Sequence, residues 1–197
     1  MMDKMDYDHR TALIVVDVQN DFADPKDALY VRDGEQVIEV INQEVERAVS
    51  SGALVVYTQD WHNEVAPHFS EHGGQWPVHA VQGTWGAALH RDLDVRGELV
   101  RKGMGEDDGY SGFSEHNLSN GSIDQTPLDQ MLQEKGIEKV VVAGLATDYC
   151  VRETALDAVA RGFDVTVLGY AIRAVNLASG DDALALRDMQ EAGVTVS

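Results

Sequence analysis

The chain has 197 residues, with 34 Asp and Glu against 15 Lys and Arg and a formal charge of −19. So acidic a surface argues against nucleic acid and anionic membranes as partners, since both need a basic face. The longest apolar runs fall far short of the ~20 residues that span a bilayer. One cysteine cannot form an internal disulfide, and the opening MMDKMDYDHR is unlike a secretory signal, so the expected setting is a reducing cytoplasm. No linker-like stretch or repeat interrupts the chain. Residues 1–197 are expected to form one domain, large enough to bury about 70% of its unfolded surface.

In chain order, ALIVV (12–16) is a continuous apolar run that predicts a strand buried on both faces. A loop with Pro25 follows, then a helix over 35–50, in which Val37, Ile41, Val45 and Ala48 recur at helical spacing with Ile38 and Val49 beside them. Gly52 ends it, and ALVVYT (53–58) is the second strand. The stretch from Asp60 to Arg96 reads as loop, rich in Trp, His, Pro and Gly. A short third strand is expected in GELVRKG (97–103), and the segment 105–125 as a loop near the site or at an interface. A helix follows over 126–137, with Pro127 near its start and Gly136 past its end. KVVVAGLA (139–146) is the fourth strand. The next helix carries Val151, Ala155, Ala158 and Val159 along one face. DVTVLG (164–169) is the fifth strand, 180–193 the last helix and VTVS (194–197) a terminal strand.

Alternating strands and helices imply an α/β three-layer helix–sheet–helix sandwich with a mainly parallel, doubly wound sheet and right-handed crossovers. Such sheets place their chemistry beyond the carboxyl ends of the strands, where strand order reverses. Asp17 follows the first strand, Asp60 and His62 the second, Lys102 the third, and LATDYC, with the lone Cys150, the fourth. Any one of them alone reads as a loop residue, but together they bring reactive groups to one edge. Cys150 is expected in the first turn of a helix capped by Thr147 or Asp148, where the helix dipole and Lys102 would lower its pKa. Asp17 is placed to take its proton as general base.

The second constellation is the segment 59–81, QDWHNEVAPHFSEHGGQWPVHAV. Four of the seven histidines, His62, His68, His72 and His79, lie there with Asp60. Imidazole and carboxylate donors suit zinc, iron or manganese.

The pieces VVDVQNDF, TQDWHNEVAPHFSEHG, QWPVHAVQGTWGAALH, VRKG followed by GYSGF, and GLATDYCVRETALDA resemble, in order, the nicotinamidase branch of the isochorismatase-like cysteine hydrolases. The resemblance implies Asp17, Lys102 and Cys150 as the catalytic set. It implies a cis Leu145–Ala146 peptide bond, and an oxyanion hole made by the N–H groups of Ala146 and Cys150. It further implies one divalent metal, zinc first with iron or manganese as alternatives, held by Asp60, His62, His68 and His79. His72 is left out of that set. Phe22, Trp76 and Tyr110 would enclose a flat aromatic carboxamide, and the activity implied is conversion of nicotinamide, and of pyrazinamide, to the acid and ammonia. The ring-nitrogen anchor would be the metal. Relatives are often multimeric, which leaves a homo-oligomer open. Ala80 stands where some relatives have a second cysteine.

Other readings of the same residues are another amidohydrolase of this superfamily, such as one acting on N-carbamoyl compounds, and a metal hydrolase whose bound water attacks. A catalytically silent binding module is the remaining one. Retention of Asp17, Lys102 and Cys150 argues against the silent module, and alkylation of the thiol with the metal retained would separate the water-based mechanism.

Overall fold

The computed structural model describes residues 5–104, 107–117 and 120–197, apart from the side chains of 107 and 108. Six strands form the main sheet: β1 (Thr11–Val16), β2 (Leu54–Asp60), β3 (Glu98–Lys102), β7 (Lys139–Leu145), β8 (Asp164–Arg173) and β9 (Thr195–Val196). Their order is β3-β2-β1-β7-β8-β9, and every pairing in this sheet is parallel. The order reverses between β1 and β7. A parallel sheet must be covered on both faces, and the alternation along β1 shows how. Leu13 and Val15 pack with Val37, Ile41, Val45 and Ala48 of α2 (Gln36–Ser50). Ala12, Ile14 and Val16 face the other way, onto α3 (Leu128–Glu134), α4 (Arg152–Ala160) and α5 (Asp181–Glu191). The expected three-layer sandwich is therefore the architecture found. Each aliphatic side chain fully buried between these layers contributes about 1.5–3 kcal/mol.

Gly144 marks a break in the β7–β8 register. Its φ is +120°, and a Cβ there would lie 2.1 Å from the Val16 carbonyl oxygen, so only glycine lets β7 approach β1 at this level. Beyond the break, β8 pairs again through Ile172 and Arg173. The fifth strand is thus four residues longer than DVTVLG alone suggests.

Between β2 and β3 the chain is irregular, as expected, with one 3₁₀ turn at Ser70–His72. The short helix α1 (Asn20–Ala23) was not expected from the sequence. The segment read as a loop instead holds a three-stranded antiparallel sheet of β4 (Asp107–Asp108), β5 (Ser114–Asn117) and β6 (Ile123–Gln125). These strands are short and mostly polar, so they carry no alternating apolar signal and exist through pairing. Among the described residues no helix is long and apolar enough to cross a membrane.

Candidate functional site

The switch between β1 and β7 opens a crevice, and the ends of four strands deliver polar side chains to it. Asp17 leaves β1 in a left-handed conformation, φ 47°, which aspartate tolerates better than most residues. Its Oδ1 accepts a hydrogen bond from Thr58 Oγ1 at 2.6 Å, and its own N–H donates to that hydroxyl at 3.2 Å. Lys102 ends β3, two strand spacings or about 9–10 Å from β1, and its long stem covers that gap. Its Nζ lies 3.0 Å from Asp17 Oδ2, 3.5 Å from Cys150 Sγ and against Asp60 Oδ1. The Lys102 side chain is fully buried.

Cys150 stands in a π turn, Thr147–Val151, between β7 and α4. The Leu145–Ala146 peptide bond before it is cis. The expected N-cap is not formed: Ala146 occupies the cap position with no side-chain hydrogen bond. Asp148 instead accepts the N–H groups of Val175 at 3.0 Å and Asn176 at 2.8 Å. Its carboxylate therefore fastens the 175–176 segment beside the nucleophile turn.

The electrostatics follow from burial. Burial would drive the Lys102 ammonium to neutrality, yet Asp17, Asp60 and Cys150 together hold its pKa well above the usual lysine value. Burial likewise raises Asp60, but Lys102 and His62 outweigh it and keep the carboxylate ionised. Asp17 shifts upward, by burial and by Asp60, with Lys102 and Thr58 opposing. The expected acidic thiol is not what the resting site favours. Burial pushes Cys150 well above its ordinary value, Asp17 and Asp60 add to that, and Lys102 alone pulls it down. The helix dipole acts in the opposite sense. These shifts favour a thiol hydrogen-bonded to Asp17, which is placed to receive its proton.

Across the cavity, the ring nitrogens of His62, His68 and His79 lie within 4.8 Å of one another. They sit on the buried ring of Phe69, whose centroid is 5.9, 4.5 and 5.3 Å from theirs. His79 Nδ1 donates to the Pro77 carbonyl at 2.7 Å and His62 Nδ1 to the Gly103 carbonyl at 3.3 Å. A carbonyl only accepts, so each ring in its neutral form presents Nε2 as a lone pair, the arrangement seen in metal-ligating histidines. Burial and the neighbouring His62 push His79 down to about 4, which keeps it neutral near pH 7, as ligation requires. Asp60 turns its second oxygen, Oδ2, to 3.5 Å from His62 Nε2. These donors fit a divalent ion. The other acidic cluster, Asp17, Asp60 and Cys150, already surrounds the Lys102 ammonium, which occupies the place a metal would take. His72 is exposed in its 3₁₀ turn and points to neither cluster.

Phe22, Trp76 and Tyr110 line the same cavity as Asp17, Asp60, His62, His68, His79, Ala146 and Cys150. Trp76 Nε1 donates to the Tyr110 hydroxyl at 3.1 Å, and Phe22 meets His79 at 5.6 Å between centroids. Tyr149 was missed by the sequence reading. Its ring packs against Trp76 at 5.0 Å and Tyr110 at 5.2 Å, and it completes an aromatic wall next to the thiol. Leu29, Val31 and Val175 supply the apolar remainder.

Three supporting residues were also missed. Gln19 is buried and bridges two segments: its Nε2 donates to the Asp60 carbonyl at 2.8 Å, and its Oε1 accepts the Asp60 N–H at 2.8 Å. Asp21 Oδ2 accepts the N–H of Ala80 at 2.7 Å, fixing the residue after His79 in a left-handed conformation, φ 47°. Thr58 is the third. The only signal for Gln19 and Asp21 was their place in DVQNDF, polar residues crowded directly after a buried strand.

Comparison with known proteins agrees with this geometry. The isochorismatase domain matches residues 11–197. The nicotinamidase of Escherichia coli (strain K12) is 37% identical over 203 residues, covering 94% of this chain and 93% of that protein. The pyrazinamidase of Pyrococcus horikoshii, solved in complex with zinc, superposes with a TM-score of 0.84 at 39% identity, over 95% of this chain and 98% of that one. PnC1 from L. infantum, solved in complex with nicotinate, gives a TM-score of 0.85 at 37% identity, over 96% and 92%. With the domain matched along nearly all of its length and a relative of that identity covering it almost end to end, this chain belongs to the isochorismatase family.

Proposed function

We propose that this protein is a metal-containing cysteine amidohydrolase that converts nicotinamide to nicotinate and ammonia, and that also accepts pyrazinamide. Residues 1–197 act as one isochorismatase-like domain in a reducing cytoplasm. The observation that carries the reading is a single cavity that holds a thiol paired with a buried Asp–Lys set, three clustered imidazoles and aromatic walls. A planar aromatic amide needs stacking surfaces and few charges around it.

Asp60, His62, His68 and His79 would hold the ion, zinc on the grounds of its nitrogen and oxygen donors. When bound it supplies an electrophilic anchor for the ring nitrogen. The chain's own residues then carry the chemistry. Phe22, Trp76 and Tyr110 enclose the ring so that its carboxamide faces Cys150. Asp17 takes the thiol proton as sulfur attacks the carbonyl carbon. Negative charge on the carbonyl oxygen is met by the N–H groups of Ala146 and Cys150. Collapse breaks the C–N bond, Asp17 returns its proton to the departing nitrogen, and ammonia leaves a thioester on Cys150. Water attacks that thioester while giving a proton to Asp17. The C–S bond breaks, Asp17 returns its proton to the sulfur, and the acid departs, its carboxyl proton passing to the released ammonia to leave nicotinate and ammonium. Lys102 keeps Asp17 oriented throughout and stabilises the transient thiolate. Its fixed charge suits a thiol that ionises only during attack.

The test is ammonia release from nicotinamide by the purified protein, beside Cys150→Ala and a chelator-treated sample. Release by the parent, abolished in the variant and lowered by chelation, is expected. Release undiminished in Cys150→Ala overturns the nucleophile. No release from nicotinamide or pyrazinamide with zinc supplied overturns the substrate assignment.

A further inference from the structure

β3 stops at Lys102, and Gly103 turns the chain out of the sheet with φ +70°. Its carbonyl oxygen faces His62 Nδ1 at 3.3 Å. The approach is so close that a Cβ at this position would lie 2.4 Å from His62 Nδ1 and 2.5 Å from Cε1. Gly103 thus forms the backing of the His62 ring and the acceptor that fixes its tautomer. A turn of this kind leaves its own N–H outside the strand ladder, where an unmet donor would be costly. That N–H donates to Glu115 Oε1 in a short contact. Glu115 sits on β5, whose pairing with β4 and β6 sets its position. One residue on, Gln82 Nε2 donates to the Met104 carbonyl at 2.8 Å and to the Trp61 carbonyl at 2.9 Å. The turn behind His62 is therefore held at two successive residues, and the contact on Gly103 itself is a carboxylate.

We infer that Glu115 is a positioning residue for the metal centre: by holding Gly103 it orients His62 from behind, and it does so from the small sheet rather than from the main one. The role rests on the metal-site reading above. It gives β4–β6 a function in the site besides carrying Tyr110 into the cavity. The task needs an acceptor oxygen at this reach, because the Gly103 N–H has no partner in the strand ladder. Lys102 directly precedes Gly103, so the same contact also bears on the lysine that reaches Asp17.

The test reads metal affinity rather than turnover. Zinc affinity of the full-length protein is measured by competition with a chromogenic chelator, for the parent, Glu115→Ala and Glu115→Gln, beside thermal unfolding of the metal-free forms. Glu115→Ala is expected to bind zinc about 10- to 100-fold more weakly, the usual effect of losing a partner behind a ligand. Glu115→Gln keeps an acceptor oxygen at the same reach and should recover most of the affinity and unfold like the parent in the metal-free form, while Glu115→Ala, left with an unmet Gly103 N–H, unfolds at a lower temperature yet is folded where zinc is titrated. Should Glu115→Ala fail to fold, Glu115→Asp replaces it, since the shorter side chain falls short of Gly103 and must weaken zinc where Gln does not. Parent-like zinc affinity in Glu115→Ala, or a loss that Gln does not restore, overturns this role alone. Absence of zinc binding by the parent overturns the metal centre, and this role with it.

Discussion

Two buried carboxylates in this molecule invite comparison, Glu44 on α2 and Asp17 after β1. Both are fully buried or nearly so, and each faces a cation. Glu44 is closed on every side: Tyr7 donates to Oε2 at 3.0 Å, Tyr170 to Oε1 at 2.7 Å, and Arg47 pairs with it one helical turn away. Burial holds the Tyr7 and Tyr170 hydroxyls above their usual pKa, so neither gives up its proton. Asp17 meets Thr58, Lys102 and a thiol, and its remaining side opens on the cavity. A carboxylate satisfied by donors that keep their protons ties elements together. One that shares a proton with a nucleophile beside empty space does chemistry. Burial and charge alone do not separate the two; the partners and the cavity do.

The sharpest way to break this comparison is a pair of substitutions with opposite outcomes. Cys150→Ala should lower kcat at least about 10³-fold, while its urea midpoint moves little because the side chain is small. Glu44→Gln should leave kcat and KM unchanged and lower the unfolding free energy by about 1–3 kcal/mol, the cost of a weakened buried network. Loss of activity in Glu44→Gln at temperatures where it is folded would erase the distinction.

Lys102→Met tests whether the reactive centre is also architecture. It removes the one cation between Asp17 and Asp60 and strands two buried carboxylates. Urea denaturation of the metal-free protein should show a loss of about 3–5 kcal/mol, with activity lost as well. Glu44→Ala should cost less, about 2–4 kcal/mol, because Arg47 is partly exposed and water can solvate it once its partner is gone.

The sequence made some of this legible and hid the rest for identifiable reasons. β1 and β7 are apolar runs buried on both faces, and α2 repeats at helical spacing, so hydrophobic pattern placed them. Asp17, Lys102 and Cys150 stood out because polar or reactive groups followed directly on such runs. Their supports did not stand out. Thr58 and Gln19 each act on a partner 41 residues away, and no local pattern encodes that. Glu115 and Tyr149 carry no local signal of a role until β5 and the π turn aim them. The cap expected of Thr147 or Asp148 failed for a related reason: the Asp148 carboxylate was already committed to the backbone at 175–176, a tertiary contact that overrides local preference. The thiol's upward shift was hidden too, since burial is a property of the fold and the dipole argument contains none of it.

The smallest expected effect tests whether Glu44 works as one network or as separate contacts. Tyr7→Phe deletes a single hydroxyl and leaves the ring packed against the core around α2. It should cost about 0.5–1.5 kcal/mol, and Tyr170→Phe a similar amount. The two hydroxyls bind different oxygens of one carboxylate, so each helps to hold the group in place for the other. With one donor gone, the carboxylate is left with Arg47 and the second phenol. With both gone, one oxygen has no hydroxyl partner and the other has only the arginine. The double variant should therefore lose more than the sum of the singles, by at least about 0.5 kcal/mol in a double-mutant cycle of urea unfolding. Strict additivity would mean that Tyr7 and Tyr170 act independently, and that Arg47 alone keeps Glu44 in place.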